Sequence, residues 1–140
     1  MLPEKSPRRL HFSAAQRDAM RRHVEVELPN EACGLVAGRG DVVTGVFPCT
    51  NTLGSPCRFE LDPEEMLEIF KRLRADDHLR LAIYHSHPAG PAEPSPTDLA
   101  EAHYPTVATV LWSLGPGGWQ CRGFSVESGV SQEITLTFAD

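Results

Sequence analysis

The sequence predicts a single-domain mixed α/β fold, with helices packed against one central β-sheet. Three observations carry that prediction. Helical and strand patterns follow one another along the chain in the order α-β-β-β-α-β-α-β-β-β. One stretch, LRLAIYHSH, is apolar over most of its length and can be buried on both faces, as a central strand is. The chain has 140 residues, 41% hydrophobic and 23% charged, the size and usage of one domain around one core. Residues 1–9 are expected to form a flexible tail and residues 10–140 the folded domain.

The first helix is expected over residues 13–28. Ser13 is a good N-cap, because its hydroxyl can accept a first-turn N–H. Met20, Val24 and Leu28 recur on one face, and Pro29-Asn30 ends the helix. Apolar runs from Cys33 to Ala37 and from Val42 to Phe47 flank Gly38-Arg39-Gly40-Asp41, a hairpin with a glycine-rich turn. A short strand, Arg58 to Leu61, leads into a second helix. There Asp62 is the N-cap, and Pro63 takes the first helical position, where its missing N–H costs nothing. Glu64 and Glu65 sit at the positive end of that helix's dipole. Met66, Phe70 and Leu73 form its expected buried face, with Ile69 beside them. LRLAIYHSH follows, then a short helix from Ser95 to Tyr104. The strands VATVLWSL, GWQCRGFSVE and SQEITLTF, separated by GPG and SG turns, complete the order. Trp112 and Trp119 are expected to pack in the sheet, and Tyr84 to point into the core, away from His85. His23 and His78 lie on or beside charged segments and are expected in solvent. A structural role is expected for His103.

A formal charge of -6 argues against a broad nucleic-acid footprint. No span of 18 uncharged apolar residues exists, so no membrane helix is expected. The charged N-terminus lacks the apolar run of a signal peptide. Cys33, Cys49, Cys57 and Cys121 form no CxxC pair, and a chain of this size needs no disulfide framework. Reduced thiols and a cytoplasmic location are therefore expected, with Cys33 a small buried apolar residue. The sequence leaves homodimerisation open.

Chemistry concentrates in YHSHPAGPAEPSPTD, residues 84–98. Alternate strand residues share a face, so His85 and His87 project the same way from a strand end. Two neutral imidazoles on one rigid strand end offer a preset bite for zinc. A carboxylate would complete three protein ligands and leave a fourth position for water, the pattern of a catalytic site. Asp98 is placed to supply it. Ser95 and Asp98 also read as N-cap and N3 residue of the next helix, a capping box. The two readings are compatible, since a first helical turn is a rigid place from which to present a ligand. Hydrolysis further needs a proton acceptor outside the ligand set. Glu31, after a helix-ending Pro-Asn and before an apolar strand, is the candidate.

PNEACGLVAG (29–38) followed by HSHPAGPAEPSPTD (85–98) resembles the JAMM, or MPN+, zinc metallopeptidases. Their pattern is a glutamate before a Gly-Leu-aliphatic strand, then H-[ST]-H-x7-S-x2-D. Glu31, Gly34-Leu35-Val36, His85-Ser86-His87, Ser95 and Asp98 fit it. The resemblance implies the JAMM/MPN fold, related to that of cytidine deaminase. It implies that His85, His87 and Asp98 bind Zn²⁺ together with a water. Glu31 would then be general base and later acid, and Ser95 would hydrogen-bond the water or the oxyanion. The bonds implied are peptide or isopeptide bonds after the C-terminal Gly-Gly of a ubiquitin-like protein. The wording EACGLVAG looks most like the prokaryotic branch, whose implied partners are ubiquitin-fold sulfur carriers or modifiers. One branch of these releases cysteine from a carrier.

Other readings fit less well. A deaminase needs His-x-Glu and Pro-Cys-x-x-Cys, and neither occurs. An amidohydrolase barrel needs about 200 residues or more. A RadC-type JAMM protein shares His-x-His-Pro but generally lacks the Glu-x-Cys-Gly-Leu segment. A catalytically inactive scaffold of the same fold would have broken ligand positions, and all three ligand positions, with Glu31 and Ser95, are filled here. Phe59 and the loop at 50–58 are expected to border the groove, and a substrate tail to lie along a free strand edge.

Overall fold

The computed structural model describes residues 2–102, 104 and 106–139. Among them run β1 (Arg9–Ser13), α1 (Ala14–Val26), β2 (Cys33–Arg39), β3 (Val42–Cys49), α2 (Pro63–Ala75), β4 (Leu79–His87), α3 (Pro96–Ala100), β5 (Ala108–Gly115), β6 (Gly118–Glu127) and β7 (Val130–Ala139). The strands lie in the order β1-β3-β2-β4-β5-β6-β7, a mixed sheet that β1 closes by pairing in parallel with β7. The expected α/β class holds, but the sheet is curled shut instead of lying open beneath the helices.

β4 runs antiparallel to β2 and parallel to β5, so both its edges are hydrogen-bonded. That central place explains its apolar run, with Leu81, Ala82 and Tyr84 almost wholly buried. It also rules out β4 as the free edge expected to receive a substrate tail. Between Ala82 and Arg80 the pairing with β2 slips by one residue, leaving Leu81 as the extra residue of a β-bulge. The main core gathers Leu10, Phe12, Met20, Val24, Val36 and Tyr84 between α1 and the sheet. A second cluster, with Cys33, Leu35, Cys49, Ile69 and Leu73, lies under α2. The four cysteines are free. Among the described residues, no helix is long and apolar enough to cross a membrane.

The capping expectations hold. Ser13 and Gln16 form a reciprocal box at α1, and Asp62 accepts from Glu64 and Glu65 at α2. Other expectations need correction. Arg9, assigned to the tail, belongs to β1, which pairs Arg9–Ser13 with Thr135–Ala139 at the far end of the chain. Arg58–Leu61 is not a strand and makes only an isolated bridge from Leu61 to Asn51. The Asn51 side chain takes over much of the pairing there, accepting from Glu60 N and donating to the Arg58 carbonyl. α1 stops before Leu28, which is 41% exposed. The buried face of α2 is Ile69 and Leu73, while Met66 and Phe70 are half-buried along a cavity. α3 ends at Ala100, short of Tyr104, and His103 lies outside the described residues. His23 is not in free solvent. Its Nδ1 is 2.6 Å from the Tyr84 hydroxyl, which would otherwise be buried without a partner. His78 is half-buried, with Nδ1 3.2 Å from Thr44 Oγ1.

Candidate metal centre

The C-terminal end of β4 carries the site. Pleat alternation turns His85 and His87 to one face, and Tyr84 and Ser86 to the other. His85 is fully buried, its ring stacked on Phe59 at 4.6 Å, so Phe59 does border the groove. Ser86 entered the sequence pattern only as the middle of His-Ser-His, with no role given to it, yet it positions the neighbouring strand. Its Oγ accepts from Ala32 N at 2.8 Å, and its own N–H donates to the Ala32 carbonyl at 3.1 Å. A polar residue between two histidines on a buried strand is the sequence signal that could have flagged it.

Those bonds bring Glu31 to the histidines. Its N–H donates to the Ser55 carbonyl and its carbonyl accepts from Asn51, so both sides of its backbone are tied. The side chain is 2% exposed, and Oε1 is buried with no hydrogen-bond partner among the described residues. Ligand atoms of Glu31, His85 and His87 all lie within 4.8 Å of one another, an arrangement that could hold a metal ion.

Asp98 arrives from the other side on α3. Its Oδ2 is 3.1 Å from His85 Nε2 and 3.0 Å from His87 Nε2. The same oxygen accepts the Ser95 N–H at 2.9 Å, while Ser95 Oγ accepts the Asp98 N–H at 3.0 Å. The capping box and the histidine contacts therefore exist together. His87 Nδ1 is 2.8 Å from the Pro91 carbonyl, which can only accept. Nε2 faces Asp98: it carries the lone pair when the ring is neutral, and donates to Asp98 when the ring is protonated. All five residues expected at the site are thus gathered, Ser95 through Asp98.

The electrostatics follow from this crowding. Burial pushes the Glu31 carboxyl up to about 7, with the Asp98 charge adding to it and His87 opposing. Burial lowers His85, although Asp98 pulls the other way. Burial would also lower His87, but the Asp98 and Pro91 hydrogen bonds outweigh it, and the net shift is upward. Burial works against ionised Asp98, yet hydrogen bonds from both histidines hold it well below the usual carboxylate range. The donor set suits a cation. Two imidazole nitrogens converge on one carboxylate oxygen, and a buried, unpartnered carboxylate oxygen stands beside them.

Comparison with known proteins identifies the family. The family described as prokaryotic homologs of the JAB domain matches residues 13–125. A probable TtuB-protein conjugate cleaving protease of Thermus thermophilus is 46% identical over 83% of this chain and 74% of its own length. The CysO-cysteine peptidase of Mycobacterium tuberculosis is 37% identical over 83% of this chain and 82% of its own. A desampylase of Haloferax volcanii is 35% identical over 75% of this chain and 81% of its own. Among solved structures, a protein of Desulfitobacterium hafniense superposes with a TM-score of 0.85 at 34% identity, covering 94% of this chain and 93% of its own. A JAB1/MPN domain protein of Archaeoglobus fulgidus, at 16% identity and a TM-score of 0.56 over 94% of this chain and 100% of its own, shares the fold.

Proposed function

Because this chain belongs to the family of prokaryotic homologs of the JAB domain, we propose that it is a zinc-dependent peptidase. It hydrolyses the bond after the C-terminal Gly-Gly of a ubiquitin-like or sulfur-carrier protein, in the cytoplasm. The observation that carries this reading is the convergence of His85 Nε2 and His87 Nε2 on Asp98 Oδ2, beside an unpartnered Glu31 oxygen. The relatives' names, a probable TtuB-protein conjugate cleaving protease, a CysO-cysteine peptidase and a desampylase, support the substrate class.

In this reading His85, His87 and Asp98 hold Zn²⁺. Bound there, the ion would polarise the scissile carbonyl and lower the pKa of a water toward about 7. The remaining chemistry belongs to the chain. Glu31 takes the proton of the attacking water and returns it to the leaving nitrogen. In the metal-free chain burial raises this carboxyl to about 7, and a desolvated carboxylate is a better proton acceptor than an exposed one. Ser95 spends only an acceptor position of its Oγ on the Asp98 N–H, so its hydroxyl proton remains to donate to the developing oxyanion. His87 keeps its ring orientation through Pro91, and His85 keeps its own through the Phe59 stack. The reading needs no second copy of the chain, since all five residues come from one.

The test is cleavage of carrier–cysteine and carrier–protein fusions ending in Gly-Gly, with and without a chelator. Metal content is measured in parallel. Chelator-sensitive cleavage after the second glycine, with about one zinc per chain, is the expected result. A chain that binds no stoichiometric metal and cuts none of the fusions would instead be a non-catalytic relative.

A further inference from the structure

A cavity of about 520 Å³ opens from the metal centre and runs back along β4, between the 58–61 segment, α2 and the residues that follow α3. His85 and Asp98 line one end. Arg80, Phe70 and Tyr104 also line it. Arg80 reaches this cavity because of the bulge. Without the extra residue, an even count would put residue 80 on the face of Ala82 and Tyr84, in the core. The slip at Leu81 turns it instead to the face of Ile83 and His85.

The state of Arg80 in this cavity is unusual. Its guanidinium sits 4.1 Å from the Phe70 ring centroid and 5.6 Å from that of Tyr104. Its Nε is buried with no hydrogen-bond partner, and no carboxylate pairs with it among the described residues. Arg58, the other cation on the cavity wall, is already neutralised by Glu101 at 2.6 Å. A planar fork of donors beside two aromatic rings on a cavity wall is suited to taking a carboxylate with two parallel bonds.

We propose that Arg80 is a specificity-determining residue that binds an acidic side chain in the extended tail of the carrier. This inference rests on the peptidase reading above. Spacing decides which carboxylate is meant. At ~3.3 Å per strand residue, Arg80 and His85 are about 13–16 Å apart along the backbone. The α-carboxylate of a single released amino acid lies within about 4 Å of the cut bond and cannot reach so far. An extended tail spans the gap in about four residues, at ~3.4 Å each. The acidic residue therefore stands about four positions before the scissile bond. The carrier side is the one with a fixed sequence to recognise, whereas conjugated partners vary.

Fluorescent six-residue peptides ending in Gly-Gly test this on the zinc-loaded chain. One glutamate is walked through the first four positions, each paired with its glutamine counterpart, and binding is followed by anisotropy. With glutamate as about the fourth residue before the scissile position, counting the terminal glycine as the first, affinity should exceed that of its glutamine partner by about tenfold, the worth of one charge-assisted pair. In Arg80→Met, which keeps a side chain of similar length between the rings, that preference should vanish while glutamine peptides bind as before. Arg80→Lys should retain part of it. Thermal unfolding of both variants separates a lost ligand contact from lost packing. Equal binding of glutamate and glutamine peptides at every position, or a preference that survives Arg80→Met, would overturn the inference alone. Binding of no Gly-Gly peptide at all would overturn it together with the peptidase reading.

Discussion

The imidazole of His87 donates its Nδ1 proton to the carbonyl of Pro91, 2.8 Å away, while the next carbonyl, Ala92, accepts from Arg122 at 2.6 Å. Arg122 is itself held by both oxygens of Glu133 on β7. A pair on the far strands thus anchors the loop that sets the tautomer of a histidine on β4. Partners of this kind commonly change metal affinity 10–100-fold when lost. Arg122→Met is expected to weaken zinc binding by about tenfold, measured by competition with a chromogenic chelator. Unchanged zinc affinity would show that the loop keeps its place without the arginine.

Glu31→Gln should separate metal binding from turnover. The amide fits the same buried space but cannot take a proton. Zinc content is expected to stay at the wild-type level, with kcat falling by ~10²-fold or more. Loss of zinc in this variant would make Glu31 a ligand and not a base.

The metal-free chain should show Glu31 in its stability against pH. The folded carboxyl is raised by burial from its ordinary 4.5 to about 7, so the fold favours the protonated form. The resulting stabilisation is fully present below about 4.5 and drains away as pH rises through about 7. Urea unfolding across this window should therefore show wild type losing stability relative to Glu31→Gln, and the gap should level off above neutrality. Both chains keep His85, His87 and Asp98, so the difference reports Glu31 together with its coupling to His87 and Asp98. Parallel curves would contradict the assignment.

Ser95→Ala removes the acceptor of the Asp98 N–H and the donor proposed for the oxyanion. The cap alone is worth about 1 kcal/mol, readable as a shift in the urea midpoint. If the hydroxyl also stabilises the reaction, kcat should fall by a further ~10²-fold with zinc retained. A stability loss with undiminished kcat would confine Ser95 to capping.

How much of this was readable beforehand depends on the range of the interactions. Ser13, Asp62 and Ser95 announced their helices because a cap is decided within three residues. His85, His87 and Asp98 were readable for the same reason, sitting on one strand end and the first turn after a short loop. β1 was not, because it becomes a strand chiefly by pairing with β7, whose register sets Leu10 against Leu136, at the far end of the chain. Barrel closure is equally invisible, being a property of the two most distant strands. The α2 face was misjudged because the helix serves two surfaces. Ile69 and Leu73 meet the core, while Met66 and Phe70 line the cavity. His23 looked solvated because its partner, Tyr84, is 61 residues away. Arg122 left no local sign, since its task is on a loop 30 residues upstream.

One oxygen, Asp98 Oδ2, takes the Ser95 N–H and faces both histidines. The aspartate thus serves the start of a helix and, in the proposed function, the metal. In a descendant freed from catalysis, His85 and His87 could drift without loosening α3, whereas the aspartate would still be needed to start it. Ageing of such a site would therefore be lopsided. The imidazoles would go first, and a lone Ser-x-x-Asp after the strand would remain as the fossil of a metal centre.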